Sequence, residues 1–400
     1  MTNNKRLYQL ALLQLEQYDT RRYLLSLKKK TDPDFTKRLR WTLRLRLVRS
    51  LSSVLGVAMA NTVIGMVTII GEKVVYLWVQ QRIKELKKHG LKIVAIAGSY
   101  GKTSVKHYVY ELLRHDYQVV ATPESFNTVM GIAKCLKWEV DQRTQVFLIE
   151  VGAYHRGDIT YLLEMVRPDI GVLTGMARQH LERFGSWENI QKAKSEIAVY
   201  MKNIGGILVA NGSDETVRKN VEKLGAKTIW YPTPPLASLG ASRNEINIAG
   251  ARKVAIQLGV KNLEPKVRSV KSRFEMTTER YGMKVIDDSF SSNDVSFVSA
   301  LEHLQKQKGY TRILVTPGLV ELGMESPAIH EKLGREIVGK ADIVMLVGKN
   351  ERTDNLTKGM GGKVRVLYID KTLDFMQATR DLKLKKEPLV LLENDLPENY

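Results

Sequence analysis

The chain has 400 residues, 44% of them hydrophobic, enough for two or three ordinary cores, which excludes a disordered tail, a fibrous protein and a disulfide-stapled mini-protein. The single cysteine, Cys135, excludes an intramolecular disulfide, and no small-residue cleavage site follows the N-terminus, so the expected compartment is the cytosol. The net charge of +19 is unevenly spread: residues 1 to 92 hold 19 Lys+Arg against 6 Asp+Glu, so a basic N-terminal module precedes a nearly ordinary soluble body.

Within that module, Ser50 to Gly71 is uncharged. As a helix rising about 1.5 Å per residue it would match a hydrocarbon core of roughly 30 Å. Arg44, Arg46 and Arg49 flank one side, and Lys73, Arg82, Lys84, Lys87 and Lys88 lie beyond the other, with Tyr76 and Trp78 near the second boundary. This favours an anionic membrane over nucleic acid, since no interleaved platform of aromatic and basic residues is present to stack bases. Ser52, Ser53, Asn61 and Thr62 interrupt the run, so a helical hairpin, an interfacial helix and a buried core helix stay open beside a span.

From Leu91 onward, short apolar runs alternate with helical stretches, the pattern of a parallel α/β sheet. Strands are expected at Lys92 to Ala97, Gln145 to Glu150, Ile170 to Thr174 and Gly206 to Ala210. A second set is expected at Val285 to Asp287, Arg312 to Thr316, Asp342 to Val347, Val364 to Tyr368 and Leu389 to Leu392. A helical stretch from Asn244 to Leu258 and a polar connection from Lys261 to Lys271 separate the sets, placing a boundary near residue 268. The expected organisation is therefore a helical module over 1–90, a central phosphate-loop domain over 91–268 and a smaller Rossmann-like domain over 269–400.

The first strand runs into Gly98-Ser99-Tyr100-Gly101-Lys102-Thr103-Ser104 and then an apolar-periodic helix. Such a loop aims backbone N–H groups and a helix N-terminus at a phosphate; Lys102 would reach the terminal phosphates and the Thr103 hydroxyl would ligate Mg²⁺. The generic phosphate-loop spacing needs a glycine where Ile96 stands, so that pattern is not met.

The shorter Gly-x-x-Gly-Lys-Thr form, with the motifs that follow it, resembles the Mur ligases, ATP-dependent amide-bond-forming enzymes of peptidoglycan synthesis. Thr122-Pro123-Glu124-Ser125-Phe126-Asn127-Thr128 is similar to the family's asparagine segment, and Phe147-Leu148-Ile149-Glu150-Val151-Gly152 to its strand ending in a metal-binding glutamate. Leu173-Thr174-Gly175-Met176, His180 and Phe184-Gly185-Ser186 resemble its histidine segment, followed by Ala193-Lys194-Ser195-Glu196-Ile197. Asp287-Asp288-Ser289-Phe290, Asn293 and Val315 to Gly323 are similar to the C-terminal motifs of the branch that adds D-alanyl-D-alanine to the muramoyl tripeptide.

The resemblance implies a reaction in which ATP phosphorylates a carboxylate and an amine displaces phosphate from the acyl phosphate. It implies ATP and Mg²⁺ as cofactors, a peptidoglycan precursor and an amino acid or dipeptide as substrates, and Lys102, Glu150, His180 and Lys194 as the catalytic set. Thr103 and Glu150 would hold one Mg²⁺, His180 and a carbamylated Lys194 a second. Asn127 would orient phosphate or metal, Asn247 would contact the nucleotide, and Arg273 and Asp288 would reach the γ-phosphate and the ribose.

The sequence also departs from the family's pattern. The basic hydrophobic module stands where a UDP-sugar-recognising domain is usual, and Gly175 stands where an asparagine is expected. Phe290, Ser291 and Asp294 alter a Tyr-Asn-Ala-Asn-Pro run, and Leu391 to Tyr400 lacks a Lys-Gly-Ser element. Two functions of different class follow: a ligase at the inner face of the cell membrane, or a membrane-tethered nucleotide-binding scaffold that hydrolyses ATP without ligating. The sequence does not indicate an oligomeric state.

Overall fold

The computed structural model of the protein describes residues 9, 10, 13, 42–123, 126–232, 243–261, 263, 276–280, 283–288 and 293–394. The N-terminal part contains α1 (Leu43–Lys88), which is broken at Gly56, where φ is 76° and ψ 162°. Arg44 Nη2 donates to Asn61 Oδ1 at 3.1 Å although 17 positions separate them. In a straight helix those residues would stand about 25 Å apart, so the chain turns back at Gly56. Leu45 and Val48 pack against Val57, Ala60 and Ile64, with Leu10 and Leu13 in the same cluster. A single continuous helix over Ser50 to Gly71 is thus replaced by a hairpin, because glycine tolerates the left-handed backbone that reverses the chain. The longer arm, Leu55–Lys88, is long and apolar enough to cross a membrane, and only 17% of its most apolar 18-residue window is buried. A buried core helix does not fit that exposure.

The next elements are β1 (Lys92–Ala97), α2 (Lys102–Leu113), β2 (Val119–Ala121), α3 (Val129–Trp138), β3 (Val146–Glu150), α4 (Asp158–Val166) and β4 (Ile170–Leu173). They continue with α5 (Leu181–Phe184), α6 (Trp187–Asn203), β5 (Ile207–Asn211), α7 (Glu215–Leu224), β6 (Thr228–Tyr231) and α8 (Arg243–Gln257). Their six strands form one parallel sheet in the order β2-β3-β1-β4-β5-β6. β3 and β4 are buried along their whole length and β1 in all but its first residue, which is why they read as unbroken apolar runs instead of alternating ones. Val94, Ile96, Val172 and Val209 pack under α2 and α8, each fully buried aliphatic side chain contributing roughly 1.5–3 kcal/mol.

The strand order places a topological switch at the centre. The connection after β1 crosses to β2 on one side, whereas that after β4 leads to β5 on the other, and ligand crevices in open α/β sheets form at that divide.

A second sheet is built from β7 (Met276–Arg280), β8 (Met283–Asp288), β9 (Thr311–Thr316), β10 (Ile343–Val347), β11 (Arg365–Ile369) and β12 (Pro388–Glu393). Between these strands lie α9 (Asp294–Lys306), α10 (Ser326–Ile337), α11 (Glu351–Met360) and α12 (Phe375–Asp381). The order is β11-β10-β9-β12-β8-β7, parallel except for β7, which pairs antiparallel to β8. Every strand expected from the sequence is present within two residues. β2, β6 and β7 are additional: β2 and β6 are edge strands of three and four residues, and β7 is a polar edge strand. The expected boundary near residue 268 lies outside the described residues.

Candidate active site

The phosphate loop is shaped by two close approaches. Gly98 has φ +147°, and a Cβ there would lie 2.2 Å from Thr174 Oγ1; Gly101 has φ +80°, and its Cβ would lie 2.9 Å from Asn247 Oδ1. The loop after β1 is stitched to the loop after β4: Ser99 N donates to the Gly175 carbonyl at 2.6 Å, and Thr174 Oγ1 donates to the Tyr100 carbonyl at 2.5 Å. The switch point therefore holds the loop at the N-terminus of α2, where the first-turn N–H groups and the helix dipole favour an anion.

Lys102 Nζ donates to the Ser99 carbonyl at 3.4 Å, and Thr103 Oγ1 to Glu150 Oε2 at 3.1 Å. Glu150 ends β3 and is buried; Lys106 Nζ stands 3.3 Å from it and donates to the Thr122 carbonyl at 2.6 Å. The sequence reading missed Lys106, which its place one helical turn beyond Lys102 would have flagged.

Lys194 is buried in α6 with Nζ 3.4 Å from the Ala153 carbonyl and 5.7 Å from the Phe184 ring centroid. Among the described residues no carboxylate stands within ion-pair distance of it. Burial, assisted by the charge of Lys102 and opposed by Asp158 and Glu196, lowers its pKa to about 7, where the neutral amine is populated. Glu196, two positions on, instead accepts from Gly157 N at 2.6 Å and Thr160 N at 2.9 Å at the start of α4.

His180 precedes α5 with a left-handed backbone, φ 57°. Its Nδ1 meets the Glu321 carboxylate, and the Tyr154 ring packs edge-on against it at 5.1 Å. Burial lowers the His180 pKa against the upward pull of Glu321. Burial would raise Glu321, but the His180 hydrogen bond and the charges of His180 and Arg183 hold it at about 2.

One cavity of about 580 Å³ is lined by Ser99, Gly101, Lys102, Thr103, Ser104, Asn127, Glu150, His180 and Lys194 from the central domain, with Asn247 on α8, Asp288 at the end of β8 and Asn293 at the N-cap of α9. Asn127 packs against Gly152, where a Cβ would lie 2.8 Å from its Nδ2. Gly98 stands behind the loop, not in the lining, and Arg273 lies outside the described residues.

Tyr100 explains one departure from the expected motif. A Cβ on Gly175 would fall 2.2 Å from the Tyr100 ring, so the ring fills the space an asparagine would need. The Tyr100 hydroxyl donates to Asp214 Oδ2 at 2.7 Å, and Asp214 also accepts from Met176 N at 2.8 Å and caps α7. In sequence Asp214 reads only as a helix cap.

A fold and cavity of this kind define a two-domain phosphate-loop α/β protein with a nucleotide-sized site between its sheets. The family model described as the Mur ligase middle domain matches residues 96–257, and the one described as the Mur ligase, glutamate ligase domain matches 272–393. The chain belongs to the Mur ligase family and carries its middle and C-terminal domains. It is 26% identical over 325 residues to UDP-N-acetylmuramoyl-tripeptide–D-alanyl-D-alanine ligase of Escherichia coli, covering 71% of this chain and 69% of that relative. The Mycobacterium bovis ligase of the same description is 29% identical over 307 residues, covering 66% and 59%. In fold, the chain is similar to the MurF ligase of Thermotoga maritima in complex with ADP, with a TM-score of 0.68 at 23% identity over 80% of each chain.

Proposed function

We propose that the protein is an ATP-dependent carboxylate–amine ligase that forms a peptide bond on a peptidoglycan precursor, with D-alanyl-D-alanine or a related amine as the nucleophile. A carboxylate oxygen of the acceptor attacks the γ-phosphorus and ADP leaves; the amine then attacks the acyl carbon, loses a proton and expels phosphate. The observation that carries this reading is the convergence of Lys102, Thr103, Glu150, His180 and Lys194 on one cavity that the C-terminal domain closes with Asp288 and Asn293. The description of the relatives as such ligases, and ADP in the Thermotoga structure, support the substrates and the nucleotide.

The donor set fits Mg²⁺. Thr103 and Glu150 offer adjacent hydroxyl and carboxylate oxygens at the foot of the phosphate loop, and among the described residues no cluster of three His, Cys, Asp or Glu is present. Mg²⁺ is commonly held in this way, by one or two protein oxygens together with substrate phosphates and water. When bound, it neutralises phosphate charge. Lys102 supplies further positive charge at the phosphates. Lys194, as a neutral buried amine, would add to CO₂ with loss of a proton, giving a carbamate anion whose oxygens could serve as donors in the cavity that His180 also lines. The loop stitches hold these groups in place without reorganisation, as electrostatic stabilisation requires.

The protein acts at the cytoplasmic face of the membrane, held by the exposed face of the Leu55–Lys88 arm. Met66, Ile69 and Ile70 are 60–70% exposed there, between basic clusters suited to anionic lipid. The full-length protein should sediment with anionic vesicles, and Ile69→Glu with Ile70→Glu should release it; sedimentation unaffected by the pair would remove this part of the reading.

The ligase reading is tested by ADP release from the full-length protein. Release should require both a muramoyl-peptide carboxylate and the amine; release indifferent to both would favour an ATP-hydrolysing scaffold.

A further inference from the structure

A buried carboxylate from the second domain contacts His180. Glu321 lies in the loop between β9 and α10 and is 8% exposed. One carboxylate oxygen takes His180 Nδ1; the other accepts from Arg183 Nε at 2.7 Å and lies 2.6 Å from Arg183 Nη2. The Glu321 carbonyl accepts from Glu182 N at 2.8 Å. On the far side, the Tyr154 ring meets the imidazole edge-on and carries the Arg183 guanidinium 4.7 Å above its centroid. Both members of the pair hold left-handed backbone, φ 57° at His180 and 56° at Glu321, a conformation that non-glycine residues keep only where the surroundings enforce it.

We propose that Glu321 is a positioning residue: docking of the C-terminal domain brings its carboxylate to His180 Nδ1, fixing the proton there and turning Nε2 toward the ligand cavity. An ionised carboxylate only accepts, so it selects the tautomer with hydrogen on Nδ1 and leaves the Nε2 lone pair for a ligand. Arg183 holds the second oxygen, so the carboxylate cannot rotate away without losing both partners. The central domain therefore completes its histidine only when the other domain is seated. This inference rests on the cavity-facing role given to His180 in the proposed function.

The test uses the full-length protein with ¹⁵N-labelled histidine, His180 being assigned by its loss in His180→Gln. Long-range ¹H–¹⁵N spectra at neutral pH should show the Nδ1–H form in the parent. Glu321→Gln, whose amide oxygen still accepts, should keep it, and Glu321→Ala should lose it. With a non-hydrolysable ATP analogue, Mn²⁺ binding read by electron paramagnetic resonance should weaken at one ion by about tenfold or more in Glu321→Ala, the usual scale for removing a carboxylate that orients a metal-binding histidine. Glu321→Asp, one methylene shorter, replaces Glu321→Ala if the latter does not fold, and is expected to lose the Nδ1–H form in the same way. An unchanged tautomer in the truncated variant would overturn the inference. If the parent binds only one Mn²⁺, the metal-facing role of His180 fails instead, and the tautomer spectrum still decides the role of Glu321.

Discussion

The two walls of the cavity are held by different forces. On the central side, backbone hydrogen bonds at the sheet's switch point fix the phosphate loop: Ser99 N to the Gly175 carbonyl and Thr174 N to the Ala97 carbonyl. On the C-terminal side, the side-chain contacts with the central domain are charge pairs, Glu321 with His180 and Arg183, and Arg178 with Asp294 at 3.6 Å and Glu325 at 3.2 Å, beside one backbone bond from Glu182 N to the Glu321 carbonyl. Backbone bonds buried in a sheet are insensitive to salt and to single side-chain changes, whereas charge pairs can be removed one at a time. One wall is thus a fixed cradle and the other a closure that can be loosened.

The largest expected effect breaks the fixed wall's chemistry while sparing its shape. Lys102→Ala should lower ADP release by about 10³-fold, the scale of removing one preorganised charge-stabilising donor, with the melting temperature unchanged. Full activity in a folded variant would refute the phosphate role.

Lys194→Arg should lose roughly 10²-fold or more, because a guanidinium stays cationic and cannot become a carbamate. Acetate or formate should restore part of the activity of Lys194→Ala. An active arginine variant, or no rescue, would mean that the buried amine serves packing alone.

A third substitution asks whether the fixed wall is as tightly fitted as its distances indicate. Gly175→Asn should destabilise the protein by about 2 kcal/mol, the range for overpacking a filled site, since the new Cβ would fall on the Tyr100 ring. Adding Tyr100→Ser should recover most of that loss in a urea titration. Strictly additive effects would show that the two positions do not compete for space.

The smallest effect belongs to the closing wall. Arg178 and Glu325 are 37% and 44% exposed, so Arg178→Ala should cost under about 1 kcal/mol. It should appear as a few-fold rise in the KM for ATP that shrinks at high salt, and an effect independent of salt would argue against closure by charge.

The apolar runs of the buried strands, the glycine–lysine–threonine loop and the order of Asn127, Glu150, His180 and Lys194 are legible in the sequence, because each depends on local backbone geometry or on residues close in the chain. Both the fold class and the central half of the site follow from them. Glu321 appeared there only as part of a motif, with no function attached. Tyr100 and Asp214, 114 positions apart, gave no signal that they meet. A helical hairpin was among the forms the sequence left open for α1, but neither its choice over the others nor its turn at Gly56 was legible, since a glycine inside an apolar run does not reveal whether its φ is positive. Contacts between distant segments, and the conformation of a residue that tolerates many, are set by packing. The sequence by itself therefore determined which chemistry this protein carries, and only the tertiary structure decided which side chains hold that chemistry in place.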